Sequence, residues 1–355
     1  MKKNKIKTSR QKTRFKNNLL AFCSAIVLVT ATILNSFQNH NYCGATNNKL
    51  YDALKTVLNH NILVKLNNGN VANVDWEEYL IGVLAGEMGP ISEKQALAAQ
   101  ALAAKNYACF HLVSNILNNK PQHPIASTNS FQVYIDKPSR EKIYGKNLEK
   151  YENLYKEAIN QTKNLIITYF DKTKPFNNNK NVYEKKELLV NSVYFTEAGE
   201  RTEDAKNVWG SDVPYLKSVD NSFEKSPIHK IELGFDETFN LFKAKKNEAI
   251  KPQKLTESFI IKRRDNSNHV EKITAFGVEM NGKETRQILK LKSTNFTVDY
   301  NEKENKIIFN CKGFGHSVGM SQAGAKKLAQ QKKTFEEIIK HYYSDVEVKN
   351  IEELI

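Results

Sequence analysis

The sequence predicts an α+β protein in which mixed helices and short strands form a bilobed body around a central cleft, preceded by an N-terminal transmembrane helix. Three observations predict it. The run VDWEEYLIGVLAGEMGPISEKQALAAQALAAKNYA at 74–108 holds two helix-forming blocks separated by Gly89-Pro90. Short runs at 258–264, 270–280, 287–291, 296–300 and 306–311 have strand character, with a turn at 265–268 between the first two. At the start, eight Lys or Arg residues fall before position 17 with no acid among them, and LLAFCSAIVLVTATIL follows at 19–34.

In chain order, residues 1–18 read as a cytoplasmic basic tail and 19–35 as a single-pass anchor, because a basic flank stays inside while the remainder is exported. The apolar stretch is short for a span, but Asn17, Asn18 and Asn35 suit the interface. No clear small-x-small cleavage site follows, which favours an anchor over a removed signal peptide. Discounting the eight tail charges, only about +6 of the net +14 remains on the exported part, so nucleic-acid binding loses its main support. Cys43, Cys109 and Cys311 are an odd number without metal-ligand spacing; a Cys109–Cys311 disulfide and free buried thiols are both open, the latter being the default. Residues 36–60, rich in Asn and His, read as a tether to a body at 61–355.

In the helical pair, Asp75 caps the first helix with Glu78 three residues on, and Ser92 with Gln95 repeats that capping-box spacing for the second. Alanine at 96, 98, 99, 101, 103 and 104 lets other elements approach the second helix closely and predicts that it is buried. Glu87 ends the first helix beside Val83, Leu84, Ala85 and Met88. Two readings stand: a solvated or ion-paired structural residue, or a desolvated carboxyl whose raised pKa suits a general acid. Residues 115–140, polar and holding Pro121, Pro124 and Pro138, read as a surface excursion. Cys109 and His111 lie two apart on a helix and point in different directions, so no structural metal is expected. A helix at 151–162, a strand at 164–170 and an Asn-Lys loop at 175–180 come next. Residues 241–254 read as helical or irregular. Gly313, Gly315, Gly319 and Gly324 surround His316, Ser321 and Gln322, as suits a loop lining a cleft between 313–323 and 85–107. By itself His316, a lone His in a Gly-rich loop, reads as a structural residue. Thr334 and Glu337 form a last capping box, on a helix ending near 341–343.

The runs EEYLIGVLAGEM…ALAAQALAAKNYA, VWGSDVPYLKSVDNSFE (208–224), LKLKSTNF (289–296) and GFGHSVGMSQAGAKKLAQ…TFEEIIKHYYSDVEV (313–348) come in one order that resembles the stage II sporulation protein D family, the lytic transglycosylases of spore-forming bacteria. The resemblance spans most of residues 60–350. It implies that Glu87 is the acid/base, that Lys105, Tyr194, Thr196, His316, Ser321 and Gln322 hold substrate, and that no cofactor is needed. The implied substrate is peptide-stripped peptidoglycan glycan, cleaved to 1,6-anhydro ends during engulfment, with a sporulation amidase and a membrane scaffold protein as partners. Lys105 and Ala323 depart from the family's usual Arg and Tyr, and Glu197 and Glu200 stand where small residues are usual. Those two acids either raise the pKa of the catalyst or face solvent. Thr128-Asn129-Ser130-Phe131-Gln132 replaces the T-x-H-C-Q zinc motif of some relatives. The competing implication is a non-catalytic glycan-binding or scaffold module that recruits or enhances a cell-wall amidase.

Overall fold

The computed structural model describes residues 47–128, 131–170 and 187–354. The basic tail, the predicted anchor at 19–35, Cys43 and the 175–180 loop lie outside the described residues. Among the described residues no helix is long and apolar enough to cross a membrane.

One helix organises the larger body. After α1 (Asn47–Leu58), β1 (Ile62–Lys65), β2 (Val71–Val74) and α2 (Trp76–Glu87) comes α3 (Lys94–Leu117), buried on every side. Ala96, Ala99, Leu102, Ala103 and Tyr107 feed one apolar cluster, Leu97, Ala98, Ala101, Ala104 and Ala108 a second, and Cys109, Phe110 and Val113 a third. The predicted burial of the alanine-rich helix is observed: methyl side chains leave its backbone open to neighbours on all faces. Around it lie β3 (Ile125–Ala126), α4 (Lys137–Tyr144), α5 (Leu148–Gln161), β4 (Leu165–Phe170), β5 (Glu187–Leu189), β6 (Tyr194–Phe195) and α6 (Ala205–Trp209).

The chain then leaves to build a second, smaller body from β7 (Ile228–Gly234), α7 (Phe235–Lys243), β8 (Phe259–Arg264), β9 (Val270–Ala275), β10 (Val278–Met280), α8 (Gly282–Leu289), β11 (Phe296–Asn301) and β12 (Lys306–Lys312). Its sheets run β10-β9-β8 and β11-β12-β7, all antiparallel. Phe235, Phe242, Phe259, Phe276, Phe296 and Phe309 pack there into a core of their own. Finally β13 (Met320–Ser321), α9 (Gln322–Gln330), α10 (Phe335–Tyr342) and β14 (Val346–Asn350) return to the larger body, with β13 parallel to β6 and β14 antiparallel to β4.

Several expectations need correction. The stretch at 36–60 is not wholly a tether, because Asn47–Leu58 is helical and docks on α3. Leu50, Ala53, Leu54 and Val57 are buried at i, i+3, i+4 and i+7, an amphipathic stripe. The run at 287–291 is not a strand. It ends α8, whose N-terminus is fixed by a capping box between Asn281 and Glu284. The run at 270–280 is two strands, turned by positive φ at Phe276 and Gly277. Ser92 and Gln95 do not box the start of α3; Gln95 reaches Gln161 and the Phe335 amide instead. The Asp75 cap and the Thr334–Glu337 box both form. Cys109 and Cys311 are free thiols in separate cores.

The predicted surface excursion at 115–140 is largely structural. Ile125, Ser127, Gln132, Tyr134 and Arg140 are buried. The segment 131–135 crosses α2 along Gly82 and Gly86, one helical turn apart. A Cβ at Gly86 would stand 2.4 Å from the Val133 carbonyl, and one at Gly82 would stand 2.2 Å from the Tyr134 ring. Ile135 N–H donates to the Gly82 carbonyl at 3.0 Å. Arg140, fully buried, clamps the segment's end through a bidentate pair with Glu78 (2.9 Å for each bond), a bond to Glu152 at 3.0 Å and another to the Ile135 carbonyl at 2.8 Å. Glu78, expected to return to the Asp75 cap, is taken up by this guanidinium.

Gly86→Ala is expected to lower unfolding stability by about 1–3 kcal/mol, as overpacking does. Gly234→Ala, where the nearest atom to an added Cβ is 3.9 Å away, should leave it nearly unchanged. Denaturant unfolding of both variants checks this.

Candidate active site

Glu87 is the last residue of α2 and is partly buried. Its Oε1 accepts from the Val133 N–H at 2.6 Å and its Oε2 from the Gln322 amide nitrogen at 3.3 Å. Burial raises its pKa above the usual carboxylate value, while these two donors pull in the opposite direction. Among the described residues no charged side chain influences it. The buried phenols of Tyr79, Tyr107 and Tyr194 all feel the Glu87 charge and are pushed upward, mainly by burial. Tyr79 donates to the Gln132 amide oxygen, and the Gln132 amide nitrogen donates to the Ala104 carbonyl at 3.0 Å, so one side chain ties α2 to α3. Among the described residues the buried Tyr194 hydroxyl has no hydrogen-bond partner; Gln132 lies beside it without the geometry of a bond.

Of the residues expected to hold substrate, Tyr194 and Gln322 come together at Glu87. Thr196 is exposed on the neighbouring strand end, its carbonyl accepting from Ala323 N–H at 3.0 Å. Ser321 is buried behind this group. It caps α9 by accepting from Gly324 N–H at 3.1 Å and donates at 2.5 Å to Glu224, a carboxylate that also receives the Ala198 amide and the Asn221 side chain. Its geometry is that of a support for Gln322. His316 packs against Phe195 and Trp209, with ring centroids 5.5 and 5.2 Å away. Its Nδ1 accepts from Val318 N–H at 3.1 Å, and burial, helped by the Arg286 charge, lowers its pKa to about 3. The ring is therefore neutral, with its proton on Nε2, and links the chain around β6 and β13.

Lys105 does not join the group. Its Nζ donates to the carbonyls of Thr162 and Lys163, at 2.5 and 2.8 Å, capping the C-terminus of α5. Burial lowers its pKa to about 8. The acids Glu197 and Glu200 do not act on Glu87 either. Glu197 pairs with His229 at 2.6 Å and Glu200 with Lys312 at 2.6 Å. The contact between Glu87 and Gln322 brings the 85–107 region against the 313–323 loop, as expected, and lies between α2 and α9 of the larger body. Two members of the site escaped sequence reading, Val133 and Gln132, because both come from the supposed surface excursion. The signal available was the Gly82/Gly86 pair inside a helix, which marks a close backbone approach.

A protonatable carboxyl at a helix end, walled by tyrosines and held by one backbone donor and one amide, defines a single-acid site in an α+β protein. A family model described as stage II sporulation protein matches residues 66–169, which include α2, α3 and the 131–135 segment. The chain is 31% identical over 291 residues to stage II sporulation protein D of Bacillus amyloliquefaciens, covering 80% of this chain and 77% of that one. It is 28% identical over 349 residues to stage II sporulation protein D of Bacillus subtilis, covering 94% and 95% respectively. An amidase enhancer of Bacillus subtilis is 24% identical over 317 residues, covering 74% of this chain and 39% of the enhancer. The chain belongs to the stage II sporulation protein D family.

Titration of the Glu87 carboxyl by carbon-13 NMR should give a midpoint above the ordinary glutamate value of 4.5, moving higher still in Gln322→Leu, which removes a donor to the anion. Ionising a carboxyl whose folded pKa is raised opposes folding once pH exceeds the unfolded pKa. Glu87→Gln should therefore raise the melting temperature at pH 7, and the gain should shrink as pH falls through the raised folded pKa and be gone below the unfolded glutamate pKa of about 4.3.

Proposed function

We propose that the chain is a lytic transglycosylase acting on the glycan strands of peptidoglycan in sporulation, with Glu87 as its one acid/base. The observation that carries this is the isolation of Glu87: its pKa is raised by burial, and among the described residues no second carboxylate acts on it. A hydrolytic glycosidase uses two carboxylates. A single one suffices when the nucleophile is the substrate's own C6 hydroxyl. Protonated Glu87 gives its proton to the glycosidic oxygen as the bond to the muramyl anomeric carbon breaks. The C6 oxygen bonds to that carbon, and its proton passes to the Glu87 carboxylate. Atoms balance without water, and the product carries a 1,6-anhydro ring. Because the nucleophile is tethered, much of the entropic cost of bringing reactants together is already met. The partnerless Tyr194 hydroxyl supports the reading, since a buried polar group beside the acid is satisfied by a substrate oxygen.

On this proposal Gln322 and Tyr194 position the sugar, with Thr196 at the rim. Ser321 and His316 act through them. The basic run and apolar stretch at the start support a single-pass anchor with the body on the exported side. The family membership supports a sporulation amidase and a membrane scaffold protein as partners. A second reading, a glycan-binding module that enhances an amidase, is favoured by the similarity to the amidase enhancer.

Mass spectrometry of peptide-free glycan strands incubated with the full-length chain separates the two. The transglycosylase gives ends of 1,6-anhydro-N-acetylmuramic acid, with Glu87→Gln slower by about 10²–10⁴-fold, the usual worth of general acid catalysis. Reducing ends would mean hydrolysis, and bound but uncut strands would leave the enhancer reading.

A further inference from the structure

A cavity of about 450 Å³ opens at the far end of α2 from Glu87. Eleven residues of helix separate Trp76 from Glu87, about 16 Å at 1.5 Å per residue, so the cavity is not part of the acid's own site. Its volume falls in the range of small-ligand sites. We propose that it is a second saccharide site, taking a neutral N-acetylated hexosamine residue. The inference rests on the proposed function only for the polymer that would supply such a residue.

The lining has the dual character that a pyranose needs. Trp76, Leu80 and Ile159 supply apolar surface for the C–H face of a sugar ring. The indole is held in place by its N–H bond to the Val57 carbonyl at 3.2 Å. Asn59, Asn61, Asn160 and Asn164 also line the cavity, and among the described residues their side-chain amides make no hydrogen bond. Each can donate and accept at once, which is what hydroxyl and acetamido groups require. Lys105 adds a deeper donor. Among the described residues two of its three ammonium hydrogens are taken, by the Thr162 and Lys163 carbonyls. Holding an ammonium at this depth has a desolvation cost that a further polar contact would offset.

Charge points to a neutral occupant. Lys55, Lys105 and Lys163 are balanced by Asp75, Glu77 and Glu352 around the same cavity. Lys55 is already paired with Glu352, and Asp75 is engaged by the Glu78 N–H. A polyanion would meet as much repulsion as attraction. A sugar with matched donors and acceptors meets neither.

The test uses the full-length chain and N,N′-diacetylchitobiose, which has no muramyl residue and cannot form an anhydro product. The chain has two tryptophans, so indole ¹⁵N–¹H spectra report on Trp76 directly, with Trp209, packed on His316, as internal reference. Millimolar chitobiose should shift the Trp76 signal saturably and leave that of Trp209 in place. Asn160→Ala combined with Lys163→Ala, both at exposed positions, should weaken that binding at least about tenfold without changing the melting temperature. An unmoved Trp76 signal, a shift confined to Trp209, or unchanged affinity in the double variant would overturn the proposal. Strand cleavage is read separately, so loss of the transglycosylase reading would leave this titration intact.

Discussion

The structure depends on α3 being surrounded. A 24-residue helix buried on all faces cannot rely on one apolar stripe, and its buried polar side chains call for partners, a demand that the Gln100 amide leaves unmet among the described residues. Asn106 meets this demand by donating to the carbonyls of Ile167 and Val190 at 3.1 and 2.7 Å and accepting the Ile167 amide at 2.8 Å, so that β4 is held to the helix edge-on. Ser192 donates to the Ala103 carbonyl at 2.7 Å and Gln132 to that of Ala104 at 3.0 Å. Leaving such a buried partner unmet costs about 1–3 kcal/mol each. These bonds therefore select one arrangement of the surrounding elements among the many that alanine methyls would tolerate.

Site geometry follows from that selection. Gln132, fixed to α3 and to Tyr79, sets the height at which the 131–135 segment crosses α2, and the absent side chains of Gly82 and Gly86 let it lie flat. The Val133 amide then has Glu87 in reach. From the other side, β13 pairs with β6, and Ser321, anchored on buried Glu224, starts α9 so that Gln322 meets the same carboxylate. Tyr194 belongs to that strand pair, which explains why two residues more than a hundred positions apart arrive together.

Legibility in the sequence followed the range of the interactions. Local signals held where nothing distant competed: the Asp75 cap, the Thr334–Glu337 box, the turn at 265–268 and the close approach allowed by alanines 96–104. The Ser92–Gln95 spacing was equally plausible locally, yet Gln95 is drawn off by Gln161 and the Phe335 amide, more than sixty residues away. The stripe Leu50, Ala53, Leu54, Val57 lay inside a segment whose Asn and His content suggested a tether, and the box Asn281–Glu284 stood just before a run of strand character. The contacts of Lys105 are likewise long-range: its ammonium binds the carbonyls at the end of α5, nearly sixty residues on. The excursion at 115–140 was misjudged because its burial depends on Arg140, whose partners Glu78 and Glu152 lie on two other helices.

On the proposed mechanism the acid gives a proton and takes one back, so it must be neutral at the start and tolerable as an anion midway, and the surroundings of Glu87 pull in both directions. Desolvation favours the protonated form, and so does its place at the C-terminus of α2, where the aligned peptide dipoles present negative charge. Against these stand the Val133 N–H and the Gln322 amide, the latter on the first turn of α9, where the dipole is positive. A carboxyl facing only the first pair of influences would hold its proton too firmly, and one facing only the second would have lost it before substrate arrived. Bringing the end of one helix to the start of another, with a single backbone amide between them, sets the acid between those limits without a second charged group.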